Sequence, residues 1–364
     1  MASYISAAER AEAEESEQDR RDSIRRVLAW YLHTAEAARR VLMPHRGGLP
    51  LEPPEPFCEP LAFAGYAQAL AWFDAEHANL AEAIRLAAET GENDTAWKLP
   101  ASMRSFFKLR KPWHEWVTAC CIGLDSARQT GDSCGQARML DSLGDAFADL
   151  SQFEHALECY RDALAIRFEI GDHHGRASNM INLGVAYFRL HRFEDALNSH
   201  QHGLTICRQI GDRYYEGAAL VGLGETYAWL RQFAIACGHF RLARTAFHDI
   251  GELYGEATAL HHLGHAAYEL AQRADALDHY RQALAIRREI GDRHGQASTL
   301  DGLGSALRDA GRPDEAREAW SEALAILEDL GDPRQDELRV RLEHLGGGDP
   351  GQRSPPPQRL PDDR

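Results

Sequence analysis

From Gly131 to Leu330 the chain repeats itself every 40 residues, and no insertion breaks the count. Gly131-Asp132, Gly171-Asp172, Gly211-Asp212, Gly291-Asp292 and Gly331-Asp332 mark the joints, with Gly251-Glu252 as a near match. Twelve residues after each Gly comes a Leu-Gly pair: Leu143-Gly144, Leu183-Gly184, Leu223-Gly224, Leu263-Gly264 and Leu303-Gly304. A further twelve brings Ala156, Ala196, Ala236, Ala276 and Ala316. A period of this length restricts the chain to a solenoid or a propeller, in which each unit buries its apolar face against its neighbours.

The content of one unit selects between them. In 176–190, Ala177, Met180, Ile181, Leu183, Gly184 and Tyr187 recur at helical spacing. In 193–210, Phe193, Ala196, Leu197, Leu204 and Ile206 do the same. A short polar turn separates the two. The alternation and turn signals of a four-stranded blade are missing, so each unit is two helices. Gly184 falls in the middle of the first, where glycine costs about 1 kcal/mol against alanine. Its recurrence in one register predicts a close helix crossing, with Ala196 as the small partner and Tyr187 and Tyr227 filling the space beside it. The Gly171-Asp172 joint reads as a helix-terminating glycine followed by an acidic residue favoured by the next helix dipole.

Leu183-Gly184, Tyr187 and Ala196, like Leu223-Gly224, Tyr227 and Ala236, resemble the tetratricopeptide repeat pattern. The 40-residue unit with its Gly-Asp joint is similar to the variant found in cell-polarity adaptors and bacterial multidomain regulators. Departures are confined to the aromatic position, where Tyr268 is displaced by one residue and Phe147 and Leu307 stand in. The resemblance implies an all-α fold: an α-solenoid, a right-handed superhelix of tetratricopeptide helical hairpins.

The flanks divide as follows. Residues 1–22 form an acidic helical or linker segment without an apolar stripe. Residues 23–90 are N-terminal helices interrupted by a proline-rich loop at 44–60, which Leu49, Leu51 and Phe57 anchor along the helices. Residues 91–130 are a divergent repeat, in which Pro100 is expected to kink the first helix or shift its start. Five regular units occupy 131–330. A capping helix at 331–345 presents Leu338, Val340, Leu342 and Leu345 to the last apolar face. A Pro/Gly-rich tail at 346–364 is expected to be disordered.

Within the first 90 residues, Tyr31-Leu32-His33-Thr34-Ala35, Leu42-Met43-Pro44-His45-Arg46 and 71–80 (AWFDAEHANL) carry a second likeness. They resemble the segment that joins the ATPase module to the repeats in actinobacterial signal-transducing ATPases, among them Streptomyces antibiotic regulatory proteins. This implies a sensor region cut from a longer transcriptional regulator. The phosphate-binding loop such a regulator carries, GxxxxGK[ST], does not occur in this sequence.

Composition narrows the function. A formal net charge of −16 argues against direct nucleic-acid binding and against an anionic membrane. Seven scattered cysteines without a CxxC pair suit a reducing cytoplasm. No GxSxG or HExxH motif occurs, and no cofactor is implied. His261 and His265, four apart on one helical face near Glu225 and Glu269, are read as a polar groove wall, with a divalent-metal site and a metal-dependent enzyme as the remote alternative.

Function then lies in a surface. In such arrays the first helix of each pair lines the concave face. One row across the units is Asp141, Ile181, Val221, His261 and Asp301; the next is Asp145, Val185, Glu225, His265 and Ser305; a third is Asp149, Arg189, Trp229, Glu269 and Asp309, with Asn182 and Phe188 beside them. Phe188 and Trp229 offer apolar anchors, and Arg189 a carboxylate fork. Asp141, Asp145 and Asp149 read as solvated charges that steer a partner. His261 and His265 read as groups that would make binding pH-sensitive near neutrality. The favoured reading is a non-catalytic interaction or sensor domain that binds a peptide, a protein or the regulator's own ATPase and DNA-binding modules, with a small effector also possible. A free-standing adaptor or scaffold is the alternative.

Overall fold

The computed structural model describes residues 16–44, 48–54 and 58–346. Residues 1–15, Phe57 of the loop, His45-Arg46 of the second likeness and the tail beyond Gly346 lie outside the described residues. Sixteen helices and no strand occur among those described. The chain divides into two compact units, 1–182 and 183–364. The first holds α1 (Glu17–Leu42), α2 (Tyr66–Glu89), α3 (Asn93–Ser102), α4 (Arg104–Arg110), α5 (Trp113–Thr130), α6 (Ser133–Asp149) and α7 (Phe153–Glu169). The division falls within α8 (His173–Arg189). The second unit continues with α9 (Phe193–Ile210), α10 (Arg213–Trp229), α11 (Phe233–His248), α12 (Leu253–Glu269), α13 (Arg273–Glu289), α14 (Arg293–Asp309), α15 (Pro313–Leu330) and α16 (Arg334–Gly346). Within each unit the helices pack pairwise in chain order, the arrangement of an α-solenoid.

Two alternating turns generate the repeat. At the outer joint, Gly131, Gly171, Gly211, Gly251, Gly291 and Gly331 adopt left-handed backbone with φ between 65° and 74°, which ends one helix at little steric cost. The acidic residue that follows does more than favour the dipole: it caps the next helix. Asp132, Asp172, Asp212 and Asp292 each accept the N–H three residues on, at 2.8, 2.9, 3.0 and 2.9 Å, and Glu252 does so for Gly255. At the inner turn the left-handed residue is Lys111, Ser151, His191, Arg231 or Ala271, with glycine only at Gly311. No shared residue type announces that turn.

The mid-helix glycines face rings. A Cβ on Gly144 would lie 2.5 Å from Tyr160, on Gly184 2.5 Å from His200, on Gly224 2.4 Å from Phe240, on Gly264 2.8 Å from Tyr280, and on Gly304 2.4 Å from Trp320. The ring therefore comes from the residue sixteen positions on, not from the expected Ala. A second wall comes from the next unit. A Cβ on Gly222 would lie 2.4 Å from His200, and one on Gly302 2.7 Å from Tyr280. His262, at the same register, stacks on Phe240 at 5.0 Å. His200, Phe240 and Tyr280 thus each tie their own hairpin to the following one.

The N-terminal helices bury Leu28, Leu32, Phe73, Leu80 and Ile84, and Phe107 stacks on Trp116 at 5.6 Å. Residues of the second likeness meet here: the Tyr31 hydroxyl donates to Glu76 Oε2 at 3.0 Å, and Trp30 and Phe73 flank Trp72. Leu49 anchors the loop as expected, buried with its N–H on Glu36. Three readings need correction. α1 begins at Glu17 with Ser16 as its cap, so residues 17–22 belong to the first long helix. Of the two expectations for Pro100, the shifted start is not seen, since α3 begins in register at Asn93, whereas the helix is interrupted at Met103, three residues on. In α16 only Leu338 is fully buried, with Leu342 and Leu345 packed beside it, while Val340 is 50% exposed because two helical residues turn it to the other side.

Glycine substitutions separate ring contact from helix propensity. Gly224→Ala should cost about 1–3 kcal/mol net through overpacking against Phe240. Gly238, in α11, has nothing within 4 Å of an added Cβ. Gly238→Ala should therefore gain about 0.5–1 kcal/mol. Urea unfolding of both variants measures the difference. Equal shifts would show that the ring does not set the crossing.

Candidate partner-binding face

In the first unit two of the three acidic residues are not solvated, while Asp149 is exposed. Asp141 and Asp145 are buried. Arg104 of α4 pairs with Asp141 at 2.9 Å and with Asp145 through Nε at 2.8 Å, while Lys108 reaches Asp145 at 2.8 Å. Arg167 lies 3.5 Å from Asp141, and Asn179 and Asn182 donate to Asp141 Oδ1 at 2.8 and 3.2 Å. The Tyr160 hydroxyl donates to Asp145 Oδ1 at 3.0 Å. Burial alone would raise the Asp145 pKa, but Arg104 and Lys108 outweigh it and hold the carboxyl well below its usual range. Asp149 lies 3.8 Å from Lys111. These aspartates are the internal counterions of the divergent repeat, so the expected steering role is withdrawn for Asp141 and Asp145.

The second unit holds the apolar part of the face. Phe188 and Trp229 meet edge to face at 6.0 Å, and Phe193 and His191 complete the cluster at 6.0 and 5.6 Å from Trp229. The inner turn builds it: left-handed backbone at His191 folds α9 back so that Phe193 meets the end of α8. The sequence reading missed His191 and Phe193 here. Trp229 remains 40% exposed and Val185 44% exposed; Val221 is half-buried. Beside them the polar groups are engaged. Glu225 sits 3.3 Å from His262 Nε2, and Glu269 sits 3.3 Å from Arg231. Burial pushes the Glu225 pKa up, but His262, His200 and Arg189 together bring it below the ordinary value.

His261 and His265 differ from their expected role. His261 packs edge to face on Tyr280 at 5.6 Å and lies 3.4 Å from the Thr299 hydroxyl. Burial, then the nearby Arg287 and the other two histidines, push its pKa well below 6.5. Burial first, then His262 and Arg231, lower His265 to about 4. Both are neutral at pH 7, which removes the expected switch near neutrality. Among the described residues no three His, Cys, Asp or Glu side chains are placed to hold a metal.

A stacked series of two-helix units with a half-exposed aromatic cluster on its first helices is an interaction scaffold of the solenoid class. The tetratricopeptide repeat profile matches residues 135–209, 215–289 and 257–329, so the chain belongs to the tetratricopeptide repeat family. No curated protein matches the sequence. Among solved structures, the chain is similar to the APC/C hetero-tetramer Cut9-Hcn1, with a TM-score of 0.57 and 14% identity, over 90% of this chain and 54% of that one. It is similar to a Rap protein complexed with competence and sporulation factor, with a TM-score of 0.56 and 13% identity over 77% and 80% of the chains. BtubC from P. vanneervenii gives 0.51 and 20% over 69% and 98%. Identities this low report the shared fold. No helix among the described residues is long and apolar enough to cross a membrane.

The buried imidazoles make the second unit acid-labile. His200, lodged between Gly184 and Gly222, is lowered by burial to about 4, like His265. A histidine whose folded pKa lies below its unfolded 6.5 contributes stability that is present above 6.5 and lost as pH falls toward 4. At pH 5 each of these two should cost about 2 kcal/mol relative to pH 7.5. Thermal melts across this window should show an early transition that His200→Phe moves back up. A pH-independent midpoint between 7.5 and 5 would contradict the burial of these rings.

Proposed function

We propose that this chain is a non-catalytic interaction and sensor domain that captures a peptide or protein segment on the Phe188–Trp229 face. The observation that supports this most is the half-exposed cluster of Phe188, His191, Phe193 and Trp229 beside exposed Val185. Rigid aromatic area left partly open is the usual material of a binding hot spot. Arg189 supplies a guanidinium for a carboxylate of the partner. Val221, Glu225, His261, His265 and Glu269 frame the site, and the Glu225–His262 and Glu269–Arg231 pairs shape it. The neighbour solved with competence and sporulation factor adds a precedent for ligand capture on this fold.

The sequence likeness in 31–35, 42–46 and 71–80 supports reading this domain as part of a cytoplasmic transcriptional regulator of the signal-transducing ATPase type. A partner that favours one of two states of such a regulator shifts its ATPase switch by the difference in affinity between them. The chain's charge argues that DNA contact belongs to another module.

Affinity capture from native cytoplasm with the wild-type domain and with Trp229→Ala plus Arg189→Ala tests the site. A partner retained by the wild type should be lost by the double variant, at about 2 kcal/mol or more in a direct titration, with helicity retained and a melting midpoint that is lowered by loss of the ring but stays above the assay temperature. Full retention would move recognition to the N-terminal helices or to the second helices of the repeats.

A further inference from the structure

The second helix of the third regular unit, α11, carries a feature that the partner face does not use. Arg241, Arg244, Thr245 and His248 share one side of the helix and line an open cleft of about 280 Å³. A carboxylate beside this cleft is already engaged: Glu256 of α12 lies 3.1 Å from His248 Nδ1 and 3.6 Å from Arg244 Nε. Arg241 makes no ion pair among the described residues, in a chain of net charge −16 whose other arginines mostly hold carboxylates. On the neighbouring α13, half-buried His279 lies in the field of Asp278 and Asp275 as well as of both guanidinium groups, and its Nδ1 is buried without a hydrogen-bond partner. Thr245 donates to the Arg241 carbonyl at 3.1 Å, so its hydroxyl proton is committed to the helix.

We infer that this cleft binds the phosphoryl group of a small solute, either inorganic phosphate or a phosphate monoester, held between the guanidinium groups of Arg241 and Arg244. A tetrahedral dianion presents oxygens to two planar forks at once, which a single carboxylate does not. The cleft exceeds a bare phosphate in volume and so leaves room for the rest of a monoester. Glu256 engages Arg244 and His248 but not Arg241, which leaves the Arg241 guanidinium for the ligand. The negative end of the α11 dipole at His248 works against an anion, which places the phosphoryl group nearer Arg241 and Arg244 than the helix terminus.

Isothermal titration at pH 7 and low salt, with inorganic phosphate in one arm and glycerol phosphate in the other, reads the site directly. Saturable heat should appear in at least one arm, and Arg241→Gln should weaken it about tenfold. Tighter binding of glycerol phosphate identifies a monoester as the ligand; equal or tighter binding of phosphate identifies the free ion. Because Arg241 makes no internal ion pair, its variant should keep the wild-type melting curve, while Arg244→Gln, which releases Glu256, serves as the second variant. No saturable heat in either arm up to about 10 mM, or unchanged affinity in both variants, would overturn the assignment.

Discussion

Each hairpin of this solenoid depends on a ring set against glycine. A glycine in the middle of a helix is a local loss of about 1 kcal/mol, and it persists here because a side chain at that point would occupy the space of Tyr160, His200, Phe240, Tyr280 or Trp320. The ring lets two helices approach closely and also touches the next unit through Gly222, His262 or Gly302. One side chain therefore serves both the hairpin and the stacking of hairpins. This couples neighbouring units as a one-dimensional array requires. The left-handed glycines and acidic caps at the outer joints hold the helix ends at a fixed spacing, so the ring and its slot meet again every 40 residues.

The same packing determines which polar groups remain available. Where the ring is imidazole, as at His200, burial keeps it neutral. Where the first-helix rows carry aspartate, as at Asp141 and Asp145, the divergent repeat supplies Arg104 and Lys108 as counterions. Around Phe188 the groups left open are apolar: Val185 and Trp229. A face of this kind suits a partner chosen by shape and apolar anchors, with Arg189 adding direction.

Period, helix pairing and the Gly-Asp joints were legible in the sequence because each rests on local chemistry: spacing, helix-ending backbone and capping. The ring column stood in the same register at 160, 200, 240, 280 and 320, yet the mixture of Tyr, His, Phe and Trp hid it from a search for a recurring residue. The inner turn was hidden similarly, since Ser151, His191, Arg231 and Ala271 share a backbone conformation and no side-chain type. The candidate face was read only in part. Helical spacing places Asp141, Asp145 and His261 on the first-helix face, but it does not say what packs opposite them. Arg104 and Lys108 come from the least regular unit, and the Tyr280 ring beside His261 comes from the next helix. Phe188 and Trp229 were legible as a pair because their 41-residue separation in a 40-residue repeat makes them neighbours.

The dependence on ring and glycine is tested most directly by a double-mutant cycle between Gly224→Ala and Phe240→Leu, read by urea unfolding. If the ring is what the glycine accommodates, the alanine penalty should largely vanish once the ring is gone, with a coupling of about 1–3 kcal/mol. Additive effects, with the same penalty for alanine against phenylalanine or leucine, would contradict the account and leave the recurring glycine without its physical reason.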